Sequence, residues 1–130
     1  MHQPGVEKGA ATAEMTVAFP LVLLLILLVA QFGIWQHAVH VAEVTAAEAL
    51  ASARAYGAGA GAGQTKGTLV LSQLGHSVLR GARVSVSRTA DAVRVEVSGV
   101  AQTVVPFLKL PVRSTAYGPV EKFRGAGDRR

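Results

Sequence analysis

A chain of 130 residues allows one modest domain, and fewer than 100 residues remain to build a core once a long apolar segment near the N-terminus is set aside. Hydrophobic residues make up 50% of the sequence but aromatics only 5%, so a large aromatic-lined pocket is not expected, and the absence of cysteine excludes disulfides, thiolate metal sites and a cysteine nucleophile. The net charge of +5 lies late in the chain: residues 64–130 hold eleven Lys/Arg against four Asp/Glu, spread singly as on solvated strand faces and not clustered as in a nucleic-acid patch.

In chain order, the first feature is a short polar stretch ending Glu7-Lys8-Gly9-Ala10-Ala11-Thr12-Ala13-Glu14. An apolar run follows. From Met15 to Ala42 no Asp, Glu, Lys or Arg occurs, and the strongly apolar part, Met15 to Trp35, predicts a helix of roughly 31 Å, the thickness of a hydrocarbon core. Pro20 falls in its first turns and Trp35 lies where an interfacial aromatic belongs. A cleaved signal peptide fits poorly: Glu7 stands beside Lys8, the apolar run is too long, and the late cut site is only Thr45-Ala46-Ala47.

Glu14 calls for a partner, because an acid inside a spanning helix costs a few kcal/mol on insertion scales. A cut after Gly9 would supply one, the new amine of Ala10, in the same chain or in a neighbour.

These residues resemble a known group. A leader ending in glycine, a glutamate five residues beyond it and a long apolar helix, here Gly9 to Glu14 and Phe19-Pro20-Leu21-Val22-Leu23-Leu24-Leu25, are similar to type IV pilins and pseudopilins, in particular the TadE-like minor pseudopilins of the Tad (Flp-type) pilus system. The resemblance implies processing by prepilin peptidase between Gly9 and Ala10, an assembly role for Glu14, a cytoplasmic N-terminus and an outer domain beyond the membrane. It implies as partners other pilin subunits, the Tad assembly machinery, the peptidase and membrane lipid. Two features depart from the pattern: major Flp pilins are short and nearly all helix whereas this chain continues for about another hundred residues, pointing to a minor subunit, and Met15 stands where many pilins carry an aromatic.

Beyond Trp35 the Ala-rich pattern predicts one continuous helix to Tyr56, with Ala38, Ala42, Ala46, Ala49 and Ala53 forming a small-residue face on which another helix can pack closely, as in a bundle. High helix propensity alone explains the alanines equally well. His37, His40 and Glu43 share nearly one face but lack the four-residue histidine spacing of helical zinc motifs, so no metal is expected there. The run Gly57-Ala58-Gly59-Ala60-Gly61-Ala62-Gly63 reads as a flexible linker, since each glycine weakens a helix by about 1 kcal/mol relative to alanine.

Thr68 to Arg80 then predicts a short amphipathic helix through Leu71, Leu74 and Val78, stopped by Gly81. Residues 83–87 and 92–98 alternate as a valine-faced hairpin turned at Thr89-Ala90-Asp91, and Leu110 to Tyr117 supplies a third strand. The expected fold is α+β: a long N-terminal transmembrane helix extending into a small outer domain of one short helix and a three-stranded antiparallel sheet. The expected divisions are a leader at 1–9, a transmembrane and extended helix at 10–56, a Gly/Ala linker at 57–64, an outer domain at 65–124 and a basic tail at 125–130.

No local motif for nucleophilic, paired-acid or dinucleotide chemistry occurs, so neither an enzyme nor a cofactor or small-molecule substrate is expected. The leading reading is a structural subunit processed after Gly9. A second is a binding module, membrane-anchored or released, that contacts cell-wall polymer or DNA through a basic sheet; a third is an anchored accessory of an enzyme with an uncut N-terminus.

Overall fold

The computed structural model describes residues 4–55 and 57–121. Its dominant element is α1, Pro4–Arg54, 51 residues and about 77 Å long. Proline suits a first helical turn, where its missing N–H would have no partner. The helix continues through Pro20. Its start lies inside the segment expected as a leader, of which residues 1–3 fall outside the described residues, as do Tyr56 and the basic tail.

Two further helical pieces and three strands follow: α2 (Ala60–Val70), a π-helical turn (Leu71–Gly75), β1 (Leu79–Arg88), β2 (Ala92–Ala101) and β3 (Pro111–Pro119). The sheet is antiparallel in the order β1-β2-β3. Its middle strand alternates as period-2 patterning requires, with Val93, Val95 and Val97 fully buried and Arg94 exposed between them. Opposite this valine row lies the small-residue face of α1, where Ala38, Ala42, Ala46, Ala49 and Ala53 are all buried in the same core. Those alanines are therefore a packing surface as well as good helix formers.

The expected linker is not one. The chain turns at Gly57, whose φ of +78° is left-handed, and becomes helical again from Ala60. Packing overrides propensity here. A Cβ on Gly63 would stand 2.7 Å from the Ala53 Cβ and 2.8 Å from the Ala49 carbonyl oxygen, and one on Gly67 would stand 2.8 Å from a Val84 methyl. These glycines let α2 sit directly between α1 and β1. In consequence the helix expected at Thr68–Arg80 begins eight residues earlier and gives way to strand at Leu79.

The strand starts with an irregularity. Gly81, at φ +60°, lies in a register shift between Arg80 and Arg83. On either side of it Leu79 and Val84 still face the helices. At the far end of the sheet, Arg54 in the last turn of α1 donates from Nε to the Pro119 carbonyl at 2.7 Å, and its own carbonyl accepts the Glu121 N–H at 2.9 Å.

The outer domain is thus wider than the expected 65–124, since the second half of α1 provides one wall of its core. The fold class stands: a long apolar helix, a short helix and a three-stranded antiparallel sheet.

Candidate functional site

The boundary between the free and packed halves of α1 is fixed by one residue. Gln31 is 1% exposed although it lies in an apolar run. Its Nε2 donates to the Gln102 carbonyl at 3.0 Å, and its Oε1 accepts from the N–H groups of Val104 (2.8 Å) and Val105 (3.3 Å). Gln31 therefore ties α1 to the β2–β3 connection. Its partners lie more than 70 residues away, so no local sequence pattern marks its role.

Upstream of Gln31, every side chain from Gly9 to Ala30 is exposed except the half-buried Leu27. Apolar groups such as Phe19, Leu21, Ile26 and Val29 cover all sides of the helix. These 22 residues extend about 33 Å, again close to a bilayer core of about 30 Å. The helix is long and apolar enough to cross a membrane, and its most apolar window is 6% buried. The exposed segment is shifted relative to the sequence-based span of Met15 to Trp35, because Gln31 and Trp35 already pack on the domain.

With the free segment ending at Ala30, Glu14 lies about one turn inside its other end. It sits in a shallow apolar depression with Ala13, Val17, Ala18 and Leu21. Among residues 9–55 and 57–121, whose side chains are described, no cation pairs with it. Gly9 and Ala10 are exposed on the same helix, and Ala10 stands four residues before Glu14, on the same face. A Cβ on Gly9 would meet nothing within 4 Å, so packing gives no reason for a glycine there.

The remaining candidates are not drawn into a site. His37, His40 and Glu43 are exposed on α1, and among the described residues no group of three His, Cys, Asp or Glu is placed to hold a metal. On the solvent face of the sheet, Arg83, Ser98 and Arg113 lie in one cross-strand row and Ser87, Arg94 and Tyr117 in another, with Glu96 between them. Glu96 lies 3.6 Å from Arg113 in an ion pair that is mostly open to water and so contributes little stability.

A long exposed apolar helix joined to a small α+β domain is consistent with membrane anchoring. Residues 9–50 match the family model described as TadE-like protein. The match covers the free segment and most of the packed half of α1, so this part of the chain is similar to TadE-like proteins. No curated protein and no solved structure matches the chain.

Proposed function

We propose that this chain is a minor pilin-like subunit of the Tad system, a structural protein and not an enzyme. In this reading α1 crosses the membrane with its N-terminus in the cytoplasm, and the α+β domain lies outside. Prepilin peptidase cuts between Gly9 and Ala10. The observation that carries the reading is Glu14, a lone acid on an otherwise apolar exposed segment, one turn from Ala10 and within a TadE-like match that opens on Gly9.

The physical logic is charge neutralisation. A carboxylate inside a bilayer costs a few kcal/mol unless paired, and no cation of residues 9–55 or 57–121 pairs with this one. Cleavage creates an ammonium at Ala10 which, at the same depth in an adjacent subunit, pairs with Glu14 and sets the axial register between helices. Exposed apolar side chains around the helix supply the packing surface for neighbouring pilin subunits.

The test is Glu14→Ala in a cell that assembles Tad pili. Membrane insertion should be unchanged, while recovery in sheared or detergent-resistant pilus assemblies should fall by at least tenfold. Loss of insertion with no separate assembly defect would contradict the register role.

A further inference from the structure

The β2–β3 connection, residues 102–110, joins three features that the anchor and Glu14 leave unexplained. Its apex is apolar and open: Phe107 is 80% exposed, and Val104 and Pro106 are exposed beside it. Gln31 pins its backbone to α1 at the point where the exposed apolar segment ends, next to the exposed Phe32. A cavity of about 560 Å³ at the same end of the sheet is lined by Arg80, Thr103, Val104, Pro106 and Lys109, two cations with no acid in the lining.

We infer that residues 102–110 form a lipid-contacting loop, seating Phe107 and Val104 in the bilayer interface on the domain's side, with Arg80 and Lys109 facing anionic lipid phosphates. The inference rests on the reading of α1 as a membrane span, since continuity with that span specifies lipid as the occupant. Backbone groups near hydrocarbon must be satisfied within the protein. Here Gln31 takes the N–H groups of Val104 and Val105 and serves the Gln102 carbonyl, Pro106 has no N–H, and the Leu108 N–H bonds the Val105 carbonyl at 3.1 Å, while the Phe107 backbone, without such a bond, stays at the hydrated level of the interface. An exposed aromatic next to a cavity lined by two bases suits an interface, where aromatics lie at headgroup level and bases meet anionic phosphates. Such a loop gives the domain a second attachment beside the helix and fixes its tilt on the membrane.

Because the chain has no cysteine, single reporters can be placed in the full-length protein. An environment-sensitive fluorophore is attached at Val104→Cys, at Leu24→Cys within the free segment, or at Ala90→Cys in the distal turn. Each protein is reconstituted in phosphatidylcholine/phosphatidylglycerol vesicles containing shallow and deep spin-labelled lipids. Quenching at 104 should be at least threefold that at 90, and should fall toward the value at 90 when Phe107→Ser is added. Quenching at 104 equal to that at 90, with 24 strongly quenched, would overturn the inference alone. No quenching at any position would overturn the membrane span and this inference with it. Removing phosphatidylglycerol should roughly halve quenching at 104, and no change would overturn the role given to Arg80 and Lys109.

Discussion

Gln31 and Gly63 show how single positions set this architecture. Replacing Gln31 by Leu keeps the volume but leaves the N–H groups of Val104 and Val105 and the Gln102 carbonyl without their partner, at a cost of about 1–3 kcal/mol for each buried group left unsatisfied. Hydrogen exchange at Val104 and Val105 should accelerate at least tenfold in Gln31→Leu, while Val95 in the sheet centre keeps its protection. Within α2, two glycines should answer in opposite directions. Gly63→Ala drives a methyl into Ala53 and the Ala49 carbonyl and should destabilise by about 1–3 kcal/mol. Gly61→Ala, with nothing within 4 Å, should stabilise by roughly 0.5–1 kcal/mol through helix propensity alone. Denaturant unfolding of the pair in detergent checks both signs.

Among the elements, α1 was the most legible, because both its apolar run and its alanine periodicity are local signals that survive folding. The valine hairpin was legible for the same reason: Val93, Val95 and Val97 alternate with polar neighbours, and the sheet buries that row. What could not be read was the start of α2, from Ala60 to Gly67. Its Gly/Ala run carries no apolar periodicity, and its helicity comes from Ala49, Ala53, Val84 and Val86, residues remote in sequence that only the absence of Cβ atoms at Gly63 and Gly67 admits. The join at Gln31 was hidden likewise, since its partners are backbone groups with no side-chain signature. Arg54 also carries no local signal of its role, which is to fasten the end of α1 to β3. Arg54→Ala should lower stability by about 1 kcal/mol, a modest loss because this bond is exposed, and thermal melting would register it.

On the scale of the whole molecule, α1 belongs to two environments, and the division at Gln31 predicts what can be separated. Residues 31–121 contain both walls of the core and should unfold cooperatively in urea. Residues 65–121 lack Ala38, Ala42, Ala46, Ala49 and Ala53 and should show neither cooperative unfolding nor dispersed amide resonances. Upstream of the division, the exposed apolar side chains are left for lipid or another helix to cover, and in the proposed function the segment's one acid pairs with a neighbour's new amine. The account therefore depends most on the creation of that amine. Mass spectrometry of the N-terminus of the mature protein, purified from cells with and without prepilin peptidase, measures it directly. A chain beginning at Ala10 only when the peptidase is present is the predicted result; a chain retaining Met1 to Gly9 in the presence of active peptidase, or beginning near Glu48 as a signal-peptide cut requires, would contradict it.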